Sequence, residues 1–337
     1  MSKINTWKLW LPIISLLIFF SIVELTFRFL IIHKDNNKTI SGIVEFDPDL
    51  IWRLKPRLSG TLATNELGFR DATYKQNADY KILLLGDSVS WGDGVDMQQS
   101  YPFLLEEMLN KNYPGKIFEI INTGVPGYST FQQLIYLKKY GIKLKPDIII
   151  HQFCLNDVVQ RFNVLYEYGG DNIFLGIDTR NSIQGFQGWM INKSRAYEWI
   201  IRYLINFQKN KQEYAVKNLS KDELSPELLE AWELTLSEIS QIAQISKKEK
   251  IPYLLFVAPY HFQLENPDNT NQPQIRLKDF SKKKKLIFYD LLDSFYLNNQ
   301  IYELPLFDDP SHFSLRGHVL AATHLQDQII KLIQIQN

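Results

Sequence analysis

Short apolar runs separated by amphipathic segments set the strongest limit on how this chain folds. Lys81 to Leu85, Ile117 to Ile121, Asp147 to Gln152, Tyr253 to Val257 and Leu286 to Tyr289 are mostly continuous in apolar character. They lack the alternation of a half-exposed strand, so each reads as a strand covered on both faces. Helical patterns lie between them, near Tyr101 to Lys111 and Thr130 to Tyr140. A longer helix opens at Ser225-Pro226-Glu227, a cap followed by proline at the first helical position, with the stripe Leu229, Trp232, Leu236, Ile239 and Ala243. Leu315 to Ile333 closes the series. Strands alternating with helices imply an α/β fold with a doubly wound, mostly parallel, five-stranded sheet.

Residues 159 to 222 break that rhythm and read as an insertion, with a helix expected near Ala196 to Phe207. Its aromatics Phe162, Tyr166, Tyr168, Phe174, Phe186 and Trp189 would either form a lipid-tolerant cap or pack down onto the domain. A loop of that length usually carries function or structure of its own.

The N-terminus obeys a different rule. From Leu9 to Val23 only Pro12, Ser15 and Ser21 interrupt the apolar run, which resumes as far as Ile32. A helix needs about 20 apolar residues to cross a bilayer core. Glu24 and Arg28 lie in the second half at i, i+4, where they share a face and can pair. Trp7 and Trp10 suit a membrane boundary. The run is followed by Glu-Leu-Thr-Phe-Arg-Phe-Leu rather than by the small residues of a signal cleavage site, so a retained single-pass anchor is expected. Lys3 and Lys8 on one side against Arg28, Lys34 and Lys38 on the other leave its orientation open. The chain thus divides into an anchor over 1–34, a linker and lead-in over 35–80, and a main domain over 81–335 that holds the insertion.

Several classes of function are disfavoured. With 37 basic and 37 acidic side chains the net charge is zero, so nucleic acid is not an expected partner. The single cysteine, Cys154, forms no internal disulfide and builds no cysteine zinc site. No His-Glu-x-x-His is present, nor a Gly-x-x-x-x-Gly-Lys-Ser/Thr loop, and Gly86 to Gly94 lacks Gly-x-Gly-x-x-Gly. Neither metal nor cofactor is expected.

Ligands in such sheets bind beyond the carboxyl ends of the strands. The first strand is followed by Gly86-Asp87-Ser88-Val89-Ser90-Trp91-Gly92 and the second by Asn122-Thr123-Gly124-Val125-Pro126-Gly127. Leu155-Asn156-Asp157 follows the third, and Asp309-Pro310-Ser311-His312 comes after the fifth. A hydroxyl, a glycine amide, a side-chain amide and an Asp/His pair on one rim are what acyl transfer through a serine needs. In isolation Ser88 would read as a turn serine and Asn156 as a loop amide. Asp87 is expected to organise the turn, and Asp157 to cap a helix, with a second orienting group as the alternative. His261 follows the fourth strand and could line the site, whereas His151, His318 and His324 lie within elements.

These blocks resemble the SGNH (GDSL-like) serine hydrolases. Gly86-Asp87-Ser88 resembles the first block, Gly124 the second, Asn156 the third and Asp309-x-x-His312 the last, over roughly residues 80 to 330. Leu155 stands where many members have glycine, and the first block lacks the leucine of the family's name. The resemblance implies a flavodoxin-like sheet, Ser88 as nucleophile, His312 as base and Asp309 as its orienting acid. It places the Ser88 and Gly124 amides and the Asn156 side chain in an oxyanion hole. The membrane segment, the stretch Asn65-Glu66-Leu67-Gly68-Phe69-Arg70-Asp71 and the Trp91-Gly92 ending resemble bacterial membrane-anchored members that face out of the cytoplasm. Acylated carbohydrate or envelope glycan is the implied substrate. A lipase-like or thioesterase activity, and a non-catalytic glycan-binding or assembly module on the same fold, are the alternatives.

Overall fold

A computed structural model of the chain describes residues 7–30, 43–47, 49–71, 74–160, 193–194, 196–197, 199–200, 215–302 and 304–336. The insertion's aromatics from Phe162 to Trp189 lie outside the described residues. So does most of the helix expected near Ala196 to Phe207, of which 196–197 and 199–200 are described and helical.

The first helix, α1 (Trp7–Leu30), is apolar and long enough to cross a membrane, and none of its span Trp10–Arg28 is buried by protein. The hydroxyls of Ser15 and Thr26 donate back to the carbonyls of Leu11 and Ile22, which satisfies them within the helix. Glu24 and Arg28 pair at 2.8 Å as their spacing predicts. The same two side chains hold the insertion: Arg28 donates to Lys193 O at 2.7 Å and Ser194 Oγ donates to Glu24 at 2.8 Å.

An antiparallel hairpin follows, β1 (Val44–Asp47) and β2 (Ile51–Leu54), in a stretch that the sequence pattern leaves unstructured. Trp52 explains it. Its indole Nε1 donates to Pro126 O, the Tyr128 hydroxyl donates to Trp52 O, and the two rings lie 5.7 Å apart.

The main sheet contains β3 (Tyr80–Leu85), β4 (Phe118–Asn122), β5 (Ile148–Phe153), β6 (Tyr253–Val257) and β7 (Ile287–Asp290). Its order is β4-β3-β5-β6-β7, and every pairing is parallel. Ile82 to Leu85, Ile148 to Ile150 and Leu254 to Val257 are wholly buried, as strands between two helical layers must be. Helices among the described residues include α2 (Ser88–Trp91), α3 (Tyr101–Asn112), α4 (Thr130–Lys139), α5 (Asn156–Gln160), α6 (Pro226–Glu249), α7 (Gln272–Lys284), α8 (Leu292–Ile301) and α9 (Leu315–Gln336), with a single turn at Pro267–Thr270.

Ser225 caps α6 by accepting from Leu228 N, with Pro226 behind it. The buried face of this helix runs through Ala231, Trp232, Thr235, Ile239 and Ile242. Leu229, expected on that stripe, is exposed, and Leu228 packs against the core instead. From the insertion, Val216 and Leu219 also enter the core.

The chain runs outward from β3 in both directions, to β4 on one side and to β5 on the other. In such sheets ligands bind at this reversal, beyond the carboxyl ends of β3 and β5. Ser88 follows β3 and Asn156 follows β5.

Candidate active site

The turn after β3 is built to display one residue. Asp87 caps α2: its Oδ1 accepts from Val89 N at 2.9 Å, and Gly92 at φ +81° ends the helix within a single turn. A Cβ at Gly86 would collide with Ser90 Oγ and Gln152 Oε1, so only glycine lets the strand pass so close beneath α2. Gln152 braces the turn from β5, accepting from Ser90 Oγ at 2.8 Å and from Asp87 N at 3.2 Å. From the lead-in, the buried Arg70 donates to Trp91 O, Gly92 O and Val95 O at 2.5–2.7 Å and stacks over the Trp91 ring. Four sides of the turn are therefore fixed, and Ser88 is left partly accessible.

Ser88 Oγ lies 2.8 Å from His312 Nε2. On the other side of the ring, Nδ1 donates to Asp309 Oδ2 at 2.5 Å. That bond fixes the tautomer and leaves Nε2 to accept the Ser88 proton. The Asp309 Oδ1 accepts the backbone N–H groups of Ser311 and His312 at 2.8 Å each, so one turn presents both side chains. The neighbouring Asp308 makes no such contact; its backbone N–H donates to His312 O.

Burial alone would raise the Asp309 carboxyl, but the His312 hydrogen bond, the charge of that ring and two backbone donors hold it well below its usual range. Burial pulls the His312 imidazole down. The Asp309 hydrogen bond and charge, with the charges of Asp93 and Asp87, override it and raise the ring above its ordinary value.

Asn156 is buried, and its Nδ2 donates to Asp87 Oδ2 at 2.9 Å, which leaves one amide proton on that nitrogen. The Ser88 N–H donates to no acceptor among the described residues. Gly124 lies against the same turn. Its N–H already donates to Asn122 Oδ1 at 3.0 Å, and its Cα packs against the backbone of α2. The close approach that glycine allows here is made to the nucleophile turn.

Asp157 is no helix cap. It is fully buried and its Oδ2 accepts from Thr130 Oγ1 at 2.8 Å, which ties α5 to α4. His261 is exposed; its ring stacks on Phe307 and its N–H donates to Pro310 O, so it steadies the loop that carries Asp309. His318 accepts from Tyr101 N, while His151 and His324 bond to Tyr253 and Tyr289. Arg70, Gln152 and Asp93 escape a sequence reading. A glutamine near the end of an apolar strand and an aspartate between two glycines are the signals that could have pointed to the latter two.

Among the described residues one acidic group, Asp71, Glu106 and Glu119, brings donor atoms within 4.8 Å of one another. The Lys75 ammonium pairs with Glu106 and Glu119 there, so the charge is already met in part by protein.

Residues 84–320 match the model of the GDSL-like lipase/acylhydrolase family. The chain belongs to this family. It is an ester-hydrolysing enzyme of the SGNH fold. Similar solved structures include a G-D-S-L family lipolytic protein from Desulfitobacterium hafniense DCB-2, at 13% identity and TM-score 0.43, covering 74% of this chain and 99% of that one. A catalytic mutant of the acetylxylan esterase Axe2 from Geobacillus stearothermophilus aligns at 16% identity and TM-score 0.48, over 75% and 94% of the two chains. A G-D-S-L family member from Veillonella parvula DSM 2008 aligns at 11% identity and TM-score 0.44, over 74% and 97%. No curated protein matches the sequence.

Proposed function

We propose that this GDSL-family chain is a membrane-anchored serine esterase that forms an acyl-enzyme at Ser88. Its substrates are O-acyl esters, O-acetyl above all, of carbohydrate or envelope glycan, and the acyl group passes to water or to a sugar hydroxyl. The observation that carries the reading is the unbroken hydrogen-bonded line from Ser88 Oγ through His312 to Asp309.

Ser88 Oγ attacks the ester carbonyl carbon while its proton moves to His312 Nε2. The carbonyl oxygen becomes an oxyanion. Collapse breaks the bond to the alcohol oxygen, which leaves with the proton from Nε2. Water, or a sugar hydroxyl, then attacks the acyl-enzyme by the same proton path and frees Ser88. Asp309 holds the ring and stabilises the imidazolium.

The unengaged Ser88 N–H and the second Asn156 amide proton are the first oxyanion donors. Gly124 N–H serves as a third by sharing its proton with Asn122. A single donor of this kind is worth about 2.7–4 kcal/mol of barrier in a measured serine hydrolase.

The bare apolar surface of α1 supports a membrane anchor over residues 1–34, with 35–80 as lead-in and 81–335 as the hydrolase domain holding the insertion at 159–222. The resemblance to membrane-anchored members supports an extracytoplasmic hydrolase domain and a glycan ester as substrate.

Labelling of the full chain in detergent with a fluorophosphonate probe tests the chemistry. Wild type should label, while Ser88→Ala and His312→Ala should not. A folded wild type that fails to label rejects the reading. Retention in the membrane pellet at high salt tests the anchor.

A further inference from the structure

A second carboxylate stands at the site, and beyond its charge on His312 the roles above leave it without a task. Asp93 Oδ2 lies 3.8 Å from His312 Nε2, the nitrogen that meets Ser88 Oγ. Asp309 occupies the opposite nitrogen. The Asp93 side chain is 48% exposed, so it faces what enters the site. Its placement relative to Ser88 is fixed by the backbone: the Asp93 N–H donates to Ser88 O at 3.0 Å. Asp93 Oδ1 accepts from Gly94 N at 3.1 Å, which turns one carboxylate oxygen into its own loop and leaves Oδ2 on the His312 side. The nearby Arg70 directs its guanidinium to the carbonyls of Trp91, Gly92 and Val95.

This position bears on the alcohol half of the ester. His312 Nε2 must return its proton to the leaving oxygen, so that oxygen comes within hydrogen-bond reach of Nε2. A substituent on the next carbon then lies beside a carboxylate only 3.8 Å from the same nitrogen. An ionised carboxylate accepts hydrogen bonds and donates none. A hydroxyl there satisfies it. An alkyl group strips its water and returns nothing, and an anionic group is repelled.

We propose that Asp93 is a specificity-determining residue that selects esters whose leaving alcohol carries a neighbouring hydroxyl, as in a polyol or a sugar, by accepting a hydrogen bond from that hydroxyl. The inference rests on the reading of Ser88 as nucleophile and His312 as base. It adds an alcohol-side preference that membership of the family does not specify.

The test compares ethylene glycol monoacetate with its methyl ether, which has the same skeleton with the hydroxyl capped. Acetate release by the full chain in detergent gives kcat/KM for each, and fluorophosphonate labelling is run on the same preparations. A hydrogen bond to a half-exposed charged acceptor supports a preference of about tenfold for the free hydroxyl in wild type. Asp93→Ala should bring the ratio to parity. Asp93→Asn, which keeps an acceptor oxygen, should retain part of it. An active wild type with no preference overturns the role of Asp93 and leaves the serine chemistry standing, as does an Asp93→Ala variant that labels and keeps the full ratio. A wild type that neither labels nor hydrolyses either ester overturns both.

Discussion

Asp309 grips His312 at two points: its Oδ1 accepts the His312 backbone N–H at 2.8 Å, and its Oδ2 accepts the ring Nδ1–H at 2.5 Å. The ring is oriented and charged by the same residue. Burial works against protonation, but the hydrogen bond and charge of Asp309, with the charges of Asp93 and Asp87, raise the imidazole above its ordinary 6.5. Of the other groups close by, Asp309 is held low and His318 is pushed down to about 3, chiefly by burial, while burial raises the Asp87 carboxyl. A change at Asp309 separates the titration of Asp87 from that of His312. Catalysis needs the neutral ring. The profile of kcat/KM against pH should therefore rise through an apparent pKa above 6.5. Asp309→Asn should move that limb to lower pH and cut kcat by about 10⁴-fold. An acid limb that stays in place in the variant would reject His312 as the titrating base.

Gly124 tests how tightly the second block is packed against the first. A Cβ there would sit 2.7 Å from Ser90 Cβ and Trp91 N and 2.9 Å from Asp87 O. Two of these are backbone atoms of the nucleophile turn and cannot rotate away. Gly124→Ala should cost about 1–3 kcal/mol of stability by overpacking. Thermal unfolding in detergent measures that cost. The labelling rate of the fraction still folded should also fall, because relief of the clash shifts Ser88. Unchanged melting and labelling would mean that the turn yields easily.

The legible parts of this chain are those whose cause is local. β4, β5 and β6 are buried throughout and β3 from Ile82 on, so an apolar run marks each. β7, expected to be covered on both faces, is an edge strand with Ile287 exposed and the rest half-buried. All five end within about a residue of the expected bounds. Ile117, for instance, lies just outside β4 and is exposed. Ser88, Gly124 and Asn156 were legible because each follows a strand, and Asp309 and His312, which lie beyond α8, by their i, i+3 spacing. What the sequence hides is decided at a distance. The hairpin from Val44 to Leu54 depends on Trp52 meeting Tyr128 and Pro126. The phase of α6 was misread at Leu229 because an apolar residue at the start of a helix fits either side of the stripe. Asp157 suited a cap by position, but α4 brings Thr130 to it instead.

Arg70 lies outside the family's blocks and yet fixes the end of α2. Its guanidinium reaches three carbonyls, a geometry that a lysine ammonium does not match. Arg70→Ala would remove this donor from Trp91 O, Gly92 O and Val95 O, of which Gly92 O keeps the Val95 N–H, and should cost about 1–3 kcal/mol. Arg70→Lys should recover only part of that. At a temperature where both variants remain folded, the labelling rate of Ser88 should fall in the same order. Equal rates in wild type and Arg70→Ala would confine Arg70 to the lead-in.

Glu119 makes stability depend on pH. Its side chain is almost wholly buried, and its Oε2 has no hydrogen bond, although the Lys75 ammonium lies 3.5 Å away. Burial and the charge of Glu106 outweigh the pull of Lys75, so the carboxyl rises from 4.5 to about 7. The folded state thus holds a proton that the unfolded state has lost between those two values. Its contribution is complete below pH 4.5 and disappears as pH rises through about 7. Glu119→Gln should be nearly neutral in mild acid and stabilising above neutrality. The difference is worth about 1–3 kcal/mol. Melting of both proteins across pH 4.5 to about 8 measures it. A stability difference that stays flat across that range would mean that Glu119 ionises normally in the fold, with Lys75 and not a proton balancing its charge.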